Sequence, residues 1–441
     1  MSKQVRKWPA TTALVGAWLI LASVAEHVVY GFWSQLTLTA GVLVVAVSVG
    51  LGIGHAPPAR GAVVAVTVAT PLMLLVTPPL GNVDRTAWLL PSVLAGGFAV
   101  LLGLLPLGSR RPGLVYLPLA ASALVFAGMI LGGAPRIDVW VILQDVARGL
   151  PRNPYEMTFP NVPAHETSCC FNYLPMTFLA TAPGEWLFGD VRWVEGGCIV
   201  VAVALLAWHV RRSRRALSLA LLVAGVPGTL LLVQQAWTEP LLLVALCGAA
   251  IAIDRGRWWV AVLALGLALA CKQHVLVLVP FLLLYRDFGP RRTLGVVAVG
   301  AAVVVPWALL DPVRFKVGVA DFFLDETAPG TSLSLWRFLP SGWGLPVLLV
   351  ATAAATWLAV RRGPSGGSGL LVGSGLILMT FDLLNKQTFL NQWWLACVLV
   401  IAGVAVGHGA GPARVDCRHV AQRGRRRGDV LAESAAGGSG Q

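Results

Sequence analysis

The stretch "LVYLPLAASALVFAGMILGGAPRIDVW", residues 114–140, carries no charge until Arg136 and Asp138. An uncharged apolar run of this length crosses the roughly 30 Å hydrocarbon core of a bilayer as a helix. It ends on a carboxylate placed where membrane gives way to water. The same grammar recurs along the 441 residues, so the pattern of this stretch sets the fold class of the whole chain.

The composition agrees. Hydrophobic residues make up 57% and charged residues only 12%, against roughly a quarter charged in soluble proteins. The expected fold is an all-α polytopic membrane protein of about 12 full spans. They fall near 9–28, 35–54, 61–80, 87–107, 113–133, 191–210, 216–234, 237–253, 293–310, 343–360, 367–385 and 393–409. Residues 258–285 are basic at both flanks and too short for two full spans, which predicts a hairpin of two short helices turning at "CKQH" (271–274).

The net charge of +13 invites a nucleic-acid reading, but its distribution argues against one. The connections on one side of the predicted spans hold 23 of the 33 Lys and Arg against 5 of the 20 acids, a balance of +18, and the other side balances at −5. Positive loops mark the cytoplasmic face. Both termini are therefore expected in the cytoplasm, and the loop after Asp138 outside. Basic charge then reports topology and contact with anionic membrane lipid, and no nucleic-acid partner is expected. The basic start and the small residues at 23–25 also fit a cleavable signal peptide, but the alternation of later loops favours an uncleaved first span.

Three parts follow: four N-terminal transmembrane helices over 1–110, a core over 111–410 with an outer loop at 134–190, and a basic disordered tail over 411–441. In the outer loop, "IDVWVILQDVARGL" (137–150) places Val139, Ile142, Leu143, Val146 and Leu150 on one helical face and Asp138, Asp145 and Arg148 on the other. Gly149 and Pro151 stop it. Such a helix is expected to lie in the outer interface, apolar face toward lipid. Residues 172–189 read as a second interfacial or re-entrant segment interrupted by Pro175 and Pro183.

Polar groups on the outer side near the membrane form a short list: Asp138; Lys272, Gln273 and His274 at the hairpin turn; Gln234, Gln235 and Glu239 in "VQQAWTEP"; and Lys386, Gln387, Asn391 and Gln392 in "LNKQTFLNQWW". Cations hold phosphate, amides and carboxylates bind hydroxyls, and a carboxylate beside a hydroxyl takes its proton as general base. The set suits a ligand with a phosphate, a sugar and a lipid tail.

"IDVW" (137–140), "GLPRNPY" (149–155), "FNYLP" (171–175), "QQAWTEP" (234–240), "ACKQH" (270–274) and "NKQTFLNQWW" (385–394) stand in the order and with the expected sidedness of the GT-C glycosyltransferases. The chain resembles most the branch of bacterial polyprenyl-phosphate-mannose-dependent mannosyltransferases, over about residues 113–410. In that family the aspartate follows the first span, whereas here it follows the fifth. The resemblance implies a GT-C-like core and Asp138 as the catalytic base. Donor-phosphate binding would fall to Lys272, with His274 and Lys386 beside it. Sugar or acceptor binding would fall to Tyr155, Tyr173, Gln235, Glu239, Gln273, Gln387 and Asn391. The implied donor is a polyprenyl-phosphate sugar and the acceptor a glycolipid or glycan, with inversion at the anomeric carbon and no metal or other cofactor. Mannose and arabinose donors ask for similar residues.

Simpler roles exist for the same groups. Asp138 suits a helix start, and Lys272 suits a lysine snorkelling outward. "HETSCC" (165–170) has the spacing of two metal ligands on a helix but no further ligand set, and it reads better as a loop with thiols or a disulfide. Asp321, Asp325 and Glu326 read as a solvated loop face, and "GPSGGSG" (363–369) as a flexible connector. Two other functions compete with sugar transfer. One is transport or flipping of lipid-linked sugars, which calls for charges deep in several spans. The other is a non-catalytic role in envelope assembly.

Overall fold

A computed structural model describes residues 8–26, 32–53, 58–76, 117–135, 137–160, 162, 171–321 and 332–409. The predicted span 87–107, the "HETSCC" residues, Asp325, Glu326 and the tail lie outside these. The described residues are helical throughout, without a strand. Six helices are long and apolar enough to cross a membrane, which marks a helical membrane protein.

In chain order the helices are α1 (Trp8–Glu26), α2 (Phe32–Gly50), α3 (Arg60–Val76), α4 (Leu117–Leu131), α5 (Asp138–Gly149), α6 (Pro175–Phe188), α7 (Arg192–Val210), α8 (Arg214–Leu222), α9 (Thr229–Gln234), α10 (Glu239–Asp254) and α11 (Trp258–Leu269). A 3-10 turn (Gln273–Leu278) leads to α12 (Val279–Leu284), followed by α13 (Pro290–Leu310), α14 (Pro312–Lys316), α15 (Gly344–Arg362), α16 (Gly366–Leu384) and α17 (Leu390–Gly409). The six candidate spans lie in α2, α7, α13, α15, α16 and α17, and α1, α3, α4, α11 and the 273–284 segment are shorter apolar helices.

Helices α16 and α17 form the centre. In each, 89% of the apolar window is buried within the protein, against 17% for α13 at the periphery. Their contact depends on small residues, as is usual where helices pack without a hydrophobic driving force between them. A Cβ on Gly375 would lie 2.7 Å from the Ala396 carbonyl oxygen, and one on Gly403 would lie 2.6 Å from the Val372 side chain.

Three sequence expectations are altered. The predicted span 216–234 is not one helix: it divides into α8 and α9 around residues 223–228, where Pro227 and the left-handed Gly228 (φ 92°) interrupt it. Pro183 does not interrupt α6, which runs through it. The "GPSGGSG" run is not a free connector. Gly366 N–H donates to Asp287 Oδ2 at 2.7 Å and Gly367 N–H to Asp254 Oδ1 at 2.6 Å, while Tyr285 donates its hydroxyl to Gly366 O at 2.7 Å. The hairpin, by contrast, is present: α11 ends at Leu269 and the chain returns through the 3-10 turn into α12.

Gly375→Ala is expected to destabilise the α16–α17 contact by about 1–3 kcal/mol, the usual range for overpacking. Gly197→Ala on α7 is the control, because its Cβ would meet nothing within 4 Å. Thermal unfolding in detergent should show a lowered midpoint for the first and none for the second.

Candidate functional site

The site begins at the hairpin turn. Lys272 is extended (φ −148°, ψ 134°) between α11 and the 3-10 turn, so its side chain leaves the helical packing. Its ammonium bonds Glu239 Oε1 at 2.5 Å, and Asn391 Nδ2 donates to the same oxygen at 2.8 Å. Three segments distant in sequence thus meet on one carboxylate: the hairpin turn, the first residue of α10 and the second residue of α17. Glu239 is 0% exposed and Lys272 retains 14%. Lys272, expected as a cation for phosphate, already has a carboxylate partner.

The turn before Glu239 carries backbone strain. Ala236 adopts φ 55°, a conformation costing a non-glycine residue roughly 1–3 kcal/mol. Around the node, Glu239 Oε2, Asn391 Oδ1, Thr238 Oγ1 and Asn172 Oδ1 are buried without a hydrogen-bond partner among the described residues. All four can accept, so a hydroxyl-bearing ligand matches them chemically. They are closed from solvent here, so a ligand reaches them only if the lining parts.

The outer loop is fastened to the same turn. Met176 N–H donates to Ala270 O at 2.9 Å and Thr177 Oγ1 donates to Cys271 O at 2.6 Å. Gln273 Nε2 donates to Asn172 O at 2.9 Å and to Val319 O at 3.3 Å. Tyr173 then lies over the node, with Lys272 Nζ 5.6 Å from its ring centroid. Tyr155 is buried, and its hydroxyl donates to Tyr173 O at 2.9 Å. Phe171 touches both tyrosine rings and Phe315 touches Tyr155, and Phe178 and Trp307 extend the cluster from Phe171 in edge-on contacts.

Asp138 is the first residue of α5, half-buried, with Oδ1 accepting from Val139 N–H at 2.7 Å. The helix has the boundaries expected from sequence. Its apolar face, however, meets protein rather than lipid: Val139, Ile142, Leu143 and Val146 are buried in a cluster with Tyr155, Phe159, Phe171 and Phe178. On the other side a polar corner fixes α5 against α6 and α7. Gln144 reaches Glu185 and donates to Gly189 O at 2.8 Å, and its Oε1 accepts from Val191 N–H at 3.1 Å. Arg148 pairs with Glu185 at 2.8 Å. Asp190 takes Trp140 Nε1 at 3.2 Å and Arg192 Nη2 at 2.7 Å, and the buried Arg192 also donates to Ile130 O. Asp145 stands in the same corner, where desolvation raises its carboxyl above the ordinary value and Arg148 opposes that shift.

Asp138 and the node act on one phenol. Burial holds the Tyr173 hydroxyl well above its usual value, and the charges of Asp138, Glu239 and Glu195 add to the shift in that order. The charges of residues 138 and 239, far apart in the chain, thus both reach one phenol. The other sequence candidates are less closely joined. His274 is half-buried within the reach of the Lys272 charge. Gln235 is buried against Gln234 Oε1 at 3.4 Å. Lys386 and Gln387 are half-buried in the 385–389 loop, where Asn385 Nδ2 donates to Gln387 O at 2.6 Å. Asp321, expected as a solvated acid, pairs with Lys316 at 2.7 Å.

Two acids were missed by a search confined to loops. Glu195 on α7 is 0% exposed and Asp382 on α16 is 1% exposed, with all four carboxylate oxygens lacking a partner among the described residues. Both feel the charges of Glu239 and Lys272. Their signal was present in the sequence as single acids inside apolar runs, "RWVEGGC" and "TFDLL", and ionisable residues at such positions are functional by default.

Lys272→Met, which leaves Glu239 buried and unpaired, is expected to cost about 3–5 kcal/mol. Adding Glu239→Gln should recover most of the loss, and a double-mutant cycle on thermal unfolding reads the coupling. Tyr155 gives a pH prediction. Burial raises its phenol far above the unfolded value of 10.0, so its contribution is fully present below pH 10 and is lost as pH rises beyond it. Tyr155→Phe should weaken the loop by about 0.5–1.5 kcal/mol at neutral pH and flatten the loss above pH 10, as measured by proteolysis of the outer loop.

Set against protein-family models, curated proteins and solved structures, the chain matches none of them.

Proposed function

We propose that the protein is a membrane glycosyltransferase of the GT-C kind, moving a sugar, mannose in the first instance, from a polyprenyl-phosphate donor to an acceptor hydroxyl of a glycolipid or glycan on the outer face. The single observation that carries this reading is the Lys272–Glu239–Asn391 node beside Tyr173, with the charge of Asp138 reaching the same phenol. In this mechanism Asp138 takes the proton of the acceptor hydroxyl as that oxygen attacks the anomeric carbon with inversion. Polyprenyl phosphate leaves, its developing charge met by the Lys272 ammonium. Fixed cations aimed at a leaving oxygen are among the larger contributions to such reactions.

Glu239 has two tasks in the proposal. Oε1 and Asn391 aim the ammonium, and Oε2 accepts from a sugar hydroxyl. Tyr173 provides an aromatic face beside the sugar, and Gln273 and Tyr155 hold the loop that carries it. His274, Lys386, Gln387 and Gln235 line the approach. The proposed topology has both termini in the cytoplasm, so donor and acceptor meet outside.

Glu195 and Asp382 favour a second reading, transport or flipping of the lipid-linked sugar, because buried acids in two spans beside a lysine suit a moving ion or proton. One experiment separates the two. Protein purified into lipid vesicles is offered a panel of polyprenyl-phosphate sugars and an acceptor. Asp138→Asn keeps an oxygen for Val139 N–H and removes the base, so transfer is expected to fall by about 10²–10⁴-fold, the usual contribution of general-base catalysis, with folding unchanged. If labelled donor crosses the bilayer without sugar transfer, or if both proteins transfer equally, the transferase assignment fails.

A further inference from the structure

The opposite end of the molecule carries a second polar constellation that the proposed reaction does not use. Trp208, in the last turn of α7, is 41% exposed. Arg255 Cζ stands 3.6 Å from its ring centroid and Arg211 Cζ stands 5.6 Å from the same centroid. The two cations are thus no further apart than those two distances together. Arg211 Nη1 also donates to Trp208 O at 2.8 Å, which fixes its stem. Arg257 completes the group, close enough that its charge, together with that of Arg211 and with desolvation as the largest cause, lowers the affinity of Arg255 for its proton.

Three guanidiniums gathered in this way repel one another, and the Asp254 charge opposes that on Arg255 only in part. Among the described residues none of the three has a carboxylate within ion-pair distance. Asp254, whose charge reaches Arg255, spends its hydrogen bonds on other groups: Oδ2 with His209 Nε2 at 3.0 Å and Oδ1 with Gly367 N–H at 2.6 Å. The indole accounts for part of the arrangement through cation–π attraction, but one ring does not neutralise three charges.

We propose that Arg211, Arg255 and Arg257 around Trp208 form a binding site for the phosphate of an anionic phospholipid. A phosphodiester offers the oxygen acceptors that guanidinium forks pair with bidentately, and clusters of basic groups at helix ends take such headgroups. The apolar surface beside the cluster favours a lipid over a free anion. Val201, two turns from Trp208 on the same stripe of α7, is 49% exposed, and Trp259 and Leu263 on one stripe of α11 are 72% and 44% exposed. Acyl chains cover surfaces of this kind, whereas inorganic phosphate does not need them.

The test uses the full-length protein in detergent, titrated with phosphatidylglycerol, phosphatidylcholine or inorganic phosphate. Bound lipid is counted by native mass spectrometry, and thermal unfolding is followed in parallel. Phosphatidylglycerol is expected to bind and raise the unfolding midpoint, with phosphatidylcholine at least about ten-fold weaker. Arg255→Gln with Arg257→Gln should lower phosphatidylglycerol binding about thirty-fold, from roughly 1 kcal/mol for each basic residue. Arg255→Lys, which keeps the charge but not the planar fork, should lie between, and it decides the matter if the double variant does not fold. Equal retention of phosphatidylglycerol by wild type and the double variant, or by wild type and Arg255→Lys where the double variant does not fold, overturns the site. Displacement of the lipid by equimolar inorganic phosphate overturns the lipid assignment.

Discussion

A carboxylate with no exposure, buried inside a helical protein, has to find a partner or give up its charge. Glu239 finds two on one oxygen, Lys272 and Asn391. Most of the geometry around the hairpin turn depends on that constraint. It fixes where the α11–α12 hairpin turns, because the turn must deliver Lys272. It also ties the first residue of α10 to the start of α17, and hence one end of the central α16–α17 pair to the hairpin. Hydrophobic burial alone would hold these helices together without fixing their register. A charge-assisted contact at low local dielectric penalises any slip that separates the partners.

The outer loop is built on that foundation in two layers. The lower layer is backbone and side-chain bonding onto the turn itself, from Met176, Thr177 and Gln273. The upper layer is aromatic: Tyr155, Phe171, Tyr173, Phe178 and Trp307 pack edge-on, with the Tyr155 hydroxyl on Tyr173 O. Helix α5 rests its apolar face on this layer and is fixed laterally by Gln144, Glu185, Asp190 and Arg192. Asp138 therefore starts from a helix with little freedom, which is what a group that must meet a reacting atom needs.

How much of this could be read from the residues differs by the range of the interaction. Asp138–Gly149 was legible to its boundaries, because amphipathic period and stop residues are local signals. The hairpin was legible from length and flanking charge. The partner of its lysine was not, since contact between residues 272, 239 and 391 is set by packing that no local pattern encodes. The α5 apolar face was assigned to lipid because moment alone cannot tell lipid from a protein cluster. The α8–α9 interruption was masked by the uniformly apolar run 219–233, although Pro227 and Gly228 stood inside it. Glu195 and Asp382 were visible as letters but not as acids whose surroundings include Lys272, because that relation joins two helices and a turn distant in sequence.

The pairing of Lys272 with Glu239 bears on how the proposed site binds a charged donor. An unpaired lysine at depth costs roughly 2.5–3.5 kcal/mol on insertion scales, a cost the protein would carry whenever the site is empty. Pairing removes most of it and leaves the ammonium already aimed. An ammonium has three donors, and Glu239 Oε1 engages one, so a phosphate oxygen can join without displacing the carboxylate. The incoming charge then sits near Glu239, and that repulsion is eased if a sugar hydroxyl donates to Oε2, which has no hydrogen-bond partner among the described residues. Phosphate and sugar would bind best together, attached to one molecule. A lipid phosphate without its sugar, which is the leaving group of the proposed reaction, would be held less well and released.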